Sequence, residues 1–223
     1  MANRIAVIDY GMGNLRSVSK ALEHVGGDVT IATTPAEVAV ADRVVFPGVG
    51  AIRDCLTALD EQGLREAVAE AAASKPFLGI CLGMQALMET SLEHGEHPAL
   101  GILPGRVVPF PEEAMVDDAG HRLKVPHMGW NRVHFMEAEH PLWAGIGDGS
   151  QFYFVHSYIV EPAGPDLIAG ATIYGIQFTS AVARENVFAT QFHPEKSSGH
   201  GLQLLANFIA WDPARAKEAG QCC

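Results

Sequence analysis

The chain has 223 residues, 48% of them hydrophobic, and carries 15 Lys or Arg against 26 Asp or Glu, a formal net charge of −11 at pH 7. That length and apolar share suit one large α/β domain with a substantial core. The charge argues against a nucleic-acid binder, which needs clustered Lys and Arg to neutralise phosphates, and no apolar run reaches the ~20 residues of a membrane span.

Met1-Ala2-Asn3-Arg4 runs into a strand pattern, Ile5-Ala6-Val7-Ile8-Asp9, without a signal-type segment, so a cytoplasmic address is expected. A glycine-containing turn follows and leads to a helix from about Asn14, whose side chain is placed to cap it, with Gly26-Gly27 at its end. This opening mimics a dinucleotide-binding turn but lacks the spacing of the second glycine. Thr34-Pro35-Ala36-Glu37 combines a capping threonine, a proline at the first helical position and a glutamate at the third, which marks the start of a short helix. Next comes an apolar strand, Val44-Val45-Phe46, which runs into the loop Pro47-Gly48-Val49-Gly50. Gly48 and Gly50 permit backbone orientations closed to other residues, including a peptide flip that turns an amide toward a developing oxyanion. Apolar helical patterns cover residues 51–74. The alternation of strand and helix predicts a right-handed, doubly wound core.

Lys75 to Ile80 suits a buried strand and Met84 to Glu89 a helix. Between them, Gly79-Ile80-Cys81-Leu82-Gly83 has the small-x-nucleophile-x-small form of a sharp strand-to-helix turn. Such a turn strains the backbone at Cys81, tolerates little bulk on either side, and sets the sulfur at a helix N-terminus, where partial positive charge favours a thiolate. The amide of Leu82 would be a second oxyanion donor. Taken alone, the pentapeptide fits a buried structural cysteine equally well. Cys55, Cys81, Cys222 and Cys223 show no zinc or disulfide framework. The run His94-Gly95-Glu96-His97 reads as a solvated loop rather than a metal site.

After Gly105 the chain turns to short β-rich segments: Arg106 to Phe110, Asn131 to Phe135, Gln151 to Ile159 and Leu167 to Ile173. They are expected as antiparallel additions along one edge that return the chain to Cys81. Gln191-Phe192-His193-Pro194-Glu195 then supplies a base. Pro194 holds His193 extended, and residues two apart in an extended stretch share a side, so His193 and Glu195 sit together. The imidazole can take the thiol proton while the carboxylate fixes its tautomer. A closing helix over about Gly199 to Trp211 carries Leu202, Leu205, Phe208 and Ile209 at helical spacing. Beyond it, Asp212 to Cys223 is a polar tail, expected to be disordered.

Pro47-Gly48-Val49-Gly50, Gly79 to Gln85 and His193-Pro194-Glu195 together resemble the motifs of the class I, triad-type glutamine amidotransferases. Asp9-Tyr10-Gly11-Met12-Gly13-Asn14, Pro126-His127-Met128-Gly129-Trp130-Asn131 and Tyr153-Phe154-Val155-His156-Ser157-Tyr158 narrow the likeness to the histidine-pathway branch of that family. The match runs from about residue 4 to residue 211. The resemblance implies a single-domain, flavodoxin-like α/β fold over 1–211, a mostly parallel sheet flanked by helices, with antiparallel strand additions in the C-terminal half. It also implies a reaction: Cys81 attacks the side-chain amide of L-glutamine, ammonia departs with a proton from His193, and water hydrolyses the glutamyl thioester. No cofactor or metal is called for.

By the same resemblance, Gln85, Glu93 and the backbone around Ser157 and Tyr158 position the substrate. Here Ser91-Leu92-Glu93 departs from the family, which has a run resembling Ser-Glu-Glu. The partner implied is a separate (β/α)8-barrel cyclase subunit that forms a heterodimer with this chain, since the motifs leave no segment to bind a phosphorylated acceptor. Met128, Trp130 and Asn131 resemble the family's interface segment and Lys196 its interface lysine. A core anchor is the plain alternative for Trp130. Three alternatives stay open: an amidotransferase serving pyridoxal phosphate, anthranilate or purine synthesis, against which the Pro126 to Asn131 segment speaks; a free-standing cysteine hydrolase or peptidase; and a catalytically idle scaffold.

Overall fold

The computed structural model describes residues 3–117 and 119–213. Its first half alternates strand and helix: β1 (Arg4–Ile8), α1 (Leu15–His24), β2 (Asp28–Ala32), α2 (Pro35–Val40), β3 (Arg43–Gly48), α3 (Ile52–Glu61), α4 (Arg65–Ser74), β4 (Phe77–Cys81) and α5 (Leu82–Ala86). The second half is mostly strand: β5 (Thr90–Ser91), β6 (His97–Pro98), β7 (Gly105–Pro109), β8 (His127–Phe135), β9 (Ser150–His156), β10 (Tyr158–Pro162), β11 (Ile168–Tyr174), β12 (Ile176–Arg184) and β13 (Val187–Thr190), closed by α6 (Ser198–Ala210).

Among the described residues the main sheet has the order β2-β1-β3-β4-β13-β12-β10-β7-β5-β6. Its first five strands are parallel. From β13 through β12 and β10 to β7 the pairings are antiparallel, β5 then joins β7 in parallel and β6 antiparallel, and β11, β8 and β9 branch from β12 as an antiparallel extension. β3, β4 and β13 are buried along their whole length, because helices cover both faces of a parallel sheet. Successive side chains point to opposite faces, which splits the core in two. Val7, Val45, Leu78 and Ile80 pack with Leu22 of α1 and Leu204, Leu205 and Phe208 of α6. Ala6, Ile8, Val44, Phe46 and Phe77 pack with Val38, Ile52, Leu59 and Val68 of α2 to α4.

Thr34 caps α2 as predicted, with its side chain accepting from the Glu37 amide while Glu37 reaches back to Thr34. Asn14 precedes α1 without a side-chain cap bond. The helix after Cys81 is shorter than predicted. Leu87 ends it, and the chain turns so that the Glu89 amide donates to the Gly105 carbonyl at 3.0 Å. The predicted segment Gln151 to Ile159 breaks at Ser157 into β9 and β10.

The chain returns to Cys81 by a different route than an edge addition. β13 inserts into the parallel core beside β4, in the register Val187↔Phe77 to Thr190↔Ile80. The antiparallel hairpin with β12 supplies this strand, so the sheet reverses direction in its interior. The tail beyond Pro213, with Cys222 and Cys223, lies outside the described residues.

Candidate active site

Cys81 ends β4 with φ 55° and ψ −108°, a conformation that L-residues seldom adopt. The flanking glycines are a steric necessity. A Cβ on Gly83 would stand 1.9 Å from the Phe46 carbonyl oxygen, and one on Gly79 would stand 2.9 Å from Ala189 Cβ and 3.1 Å from the Gly83 carbonyl oxygen. The turn therefore holds together only with glycine on either side, and the sulfur faces a cavity of about 580 Å³. Val49, Gly50, Leu82, Gln85, Glu93, Ser157, Tyr158 and His193 line the same cavity.

His193 arrives from β13 and is 2% exposed. Its Nδ1 lies 2.9 Å from Glu195 Oε1, and both side chains are buried. The pair is not held in an extended stretch as predicted. His193 itself is extended, but Pro194 to Lys196 form a single 3-10 turn that folds the carboxylate back under the imidazole. Ser197 locks this turn, its hydroxyl donating to the His193 carbonyl and accepting from the Tyr153 amide of β9. The His193 amide in turn donates to the Tyr153 carbonyl at 2.9 Å. Burial opposes a charged imidazole here, but the Cys81 sulfur and the Glu195 carboxylate outweigh it and push the His193 pKa up to about 10. Nε2 makes no hydrogen bond of normal geometry among the described residues, yet the Cys81 sulfur is close enough to favour the charged ring.

Two polar groups meet the sulfur. The Val155 carbonyl of β9 lies 3.8 Å from it, and Gln191 Nε2 donates to it at 3.7 Å. Gln191 is fully buried and was not singled out from the sequence. The available signal was its position two residues before His193, where strand alternation puts both side chains toward one site. Gln85 belongs to α5. It is buried, and its Nε2 donates both to Gln191 Oε1 and to the Tyr158 carbonyl at 3.0 Å.

Two glycines of the loop at 47–50 differ in their reasons. Gly50 has φ +96°, which favours glycine, whereas Gly48 is required by space, since a Cβ there would meet the Tyr10 hydroxyl at 2.4 Å. That buried hydroxyl donates to the Pro47 carbonyl and anchors the loop from below. Glu93 reaches the cavity rim, and its carboxylate accepts from the Ile52 amide at 2.8 Å, capping α3 beside the loop. His94 is exposed at the rim, while His97 is not in a solvated loop but belongs to β6, half-buried.

Met128 and Trp130 stand on β8 at 62% and 48% exposure, which rules out the core-anchor reading of Trp130. They lie directly opposite Val155 and Tyr153 of β9, so one sheet face joins them to the strand that touches the sulfur. Asn131 is half-buried beside them and Lys196 is exposed in the turn after Glu195. Among the described residues no helix is long and apolar enough to cross a membrane, and no three His, Cys, Asp or Glu side chains gather as a metal site.

The model of the class I glutamine amidotransferases matches residues 6–211. An imidazole glycerol phosphate synthase subunit HisH of Thiobacillus denitrificans is 62% identical over 221 residues, covering 98% of this chain and 96% of the relative. The protein of the same name from Aromatoleum aromaticum is 62% identical over 211 residues, covering 94% and 99%. Among solved structures, a putative GMP synthase component from Thermoplasma acidophilum superposes with a TM-score of 0.69 at 21% identity, covering 99% and 98% of the two chains. PurLQS from Thermotoga maritima superposes at 0.70 and 19% identity over 94% and 98%. At that identity the two structures speak for the fold alone.

Proposed function

The chain belongs to the class I glutamine amidotransferases, and from that membership we propose that it is the glutaminase subunit of an imidazole glycerol phosphate synthase in histidine biosynthesis. The observation that carries the reading is the meeting, in one cavity, of a cysteine on a strained strand-to-helix turn with His193, whose ring is backed by the buried Glu195 carboxylate.

In the proposed reaction the Cys81 sulfur attacks the side-chain amide carbon of L-glutamine while His193 holds the thiol proton. The raised His193 pKa favours the charged imidazolium that results, and Glu195 stabilises it. The carbonyl oxygen becomes an oxyanion, for which the amides of Leu82 and of the Gly48-Val49-Gly50 loop are the candidate donors. Collapse breaks the carbon–nitrogen bond. The leaving amine takes the proton from His193 and departs as ammonia, leaving a glutamyl thioester. Water, deprotonated by His193, then attacks the thioester, releasing glutamate and restoring the thiol. Gln85, Glu93 and the backbone at Ser157 and Tyr158 line the cavity where the amino-acid end of the substrate would sit.

Ammonia protonated in bulk water is lost as a nucleophile, so a separate (β/α)8-barrel cyclase is proposed to receive it directly and make imidazole glycerol phosphate and an aminoimidazole carboxamide ribonucleotide. The exposed Met128 and Trp130, paired across β8 with the β9 strand whose Val155 lines the cavity, support a partner face there, with the half-buried Asn131 and the exposed Lys196 as its further candidate contacts. The test is glutamate release from glutamine by this chain with its cyclase and the cyclase's ribulosyl nucleotide ligand. Release is expected to need the partner and to vanish in Cys81→Ala. No release from the complete, folded mixture would defeat the reading in favour of a scaffold or of a glutaminase serving another synthase.

A further inference from the structure

The segment Pro126 to Asn131 and the end of β9 bury two imidazoles that the proposed reaction leaves unused: His127 is 3% and His156 5% exposed. Their neighbours fix where the protons sit. His156 Nδ1 lies 2.9 Å from the Tyr158 carbonyl oxygen and must donate to it. In a neutral ring Nε2 is then an acceptor, and it lies 2.9 Å from His127 Nδ1, which must therefore be protonated. His127 Nε2 is left to accept, from Asn131 Nδ2 at 3.3 Å. Asn131 is held in turn by a second bond, to the Ile173 carbonyl at 2.9 Å. Burial keeps both rings neutral, bringing His127 down to about 4 and His156 to about 3.

The path continues past Tyr158. The same carbonyl accepts from Gln85, Gln85 donates to Gln191, and Gln191 donates to the Cys81 sulfur. The side chains of His127, His156, Gln85 and Gln191 are buried polar groups with few other partners, so that a bond lost at one end leaves an unsatisfied group at the next. If His127 stopped donating, His156 Nε2 would be a buried acceptor without a partner. Moving the proton to Nε2 would only exchange it for a donor without a partner, and would set the Nδ1 lone pair against the Tyr158 carbonyl.

We infer that His127 and His156 are positioning residues for the site: together they fix the Tyr158 carbonyl and the Ser157–Tyr158 backbone beside it, and through that carbonyl hold Gln85 and Gln191 in place below Cys81. The inference rests on the glutaminase reading for its kinetic consequence but not for its spectroscopic one.

His127 stacks on Phe154 and Tyr174 with ring centroids 4.9 and 4.0 Å away, so His127→Phe keeps the packing and removes only the relay. In the cyclase-activated assay the KM for glutamine is expected to rise about tenfold in His127→Phe with kcat changed far less. His127→Asn, whose amide nitrogen stands near the Nδ1 position, is expected to restore it. Imidazole nitrogen NMR on the isotope-labelled chain should find His127 and His156 both protonated at Nδ1 in the unsubstituted protein, with the His156 Nε2 signal moving in His127→Phe toward that of an acceptor nitrogen free of hydrogen bonds. An unchanged KM in folded His127→Phe, a failure of His127→Asn to restore it, or Nε2-protonated His156 in the unsubstituted protein would each overturn the inference. If the unsubstituted mixture releases no glutamate at all, the proposed function fails. The tautomers then decide the relay by themselves: Nδ1 protons on both rings support it, and an Nε2 proton on His156 overturns it.

Discussion

At Cys81 the backbone is strained for the sake of where the side chain points. A φ of 55° with ψ −108° costs an L-residue about 1–3 kcal/mol, and glycine adopts it at little steric cost. Cys81→Gly should therefore be more stable than Cys81→Ala by about 1 kcal/mol, the strain relieved less the added freedom of glycine in the unfolded chain. Chemical denaturation of the two variants measures the difference, and a Cys81→Gly variant less stable than Cys81→Ala would mean that the turn holds no strain. Cys81, His193 and Glu195 were legible from sequence because each sits in a short pattern whose local geometry is dictated by glycine or proline. Gln191 and the two buried histidines were not. Their roles come from partners 110 and 29 residues away, Cys81 for Gln191 and the other imidazole for the histidines, and no local pattern encodes such a partner.

Elements show the same division. The capping box at Thr34 was readable because both of its bonds join residues three apart. The truncation of α5 was not, since the apolar run Met84 to Met88 is buried by the sheet and by long-range bonds such as that of Glu89 to Gly105, whatever its helical preference. Between β4 and α5 the close packing of Gly83 on Phe46 couples the elbow to β3. Gly83→Ala should thus lower stability by about 3 kcal/mol, because a methyl group against a backbone carbonyl has no flexible neighbour to displace. A loss below about 0.5 kcal/mol on denaturation would show that the elbow is not packed as described.

Over the whole molecule, the sheet branches at β12 so that one arm delivers β13 and His193 into the parallel core and the other carries β8 and β9 past the site to an exposed face. On the proposed assembly, Trp130→Ala should weaken binding of the cyclase by about 2 kcal/mol, roughly thirtyfold, while leaving the chain's own thermal midpoint in place, because the indole is half exposed in the free chain. Calorimetric titration against the cyclase checks this, and an unchanged affinity would move the interface elsewhere. By itself the sequence determined the doubly wound first half, the elbow cysteine and the histidine–glutamate pair, because apolar periodicity, glycine and proline act on residues close along the chain. Only the tertiary structure decided that β13 lies inside the sheet, that a 3-10 turn rather than an extended stretch joins His193 to Glu195, and that a run of hydrogen bonds leads from Asn131 through two buried imidazoles and the Tyr158 carbonyl to the sulfur. Strand order and buried hydrogen bonds depend on which distant groups must be covered and satisfied together, and that is settled only when the whole chain packs.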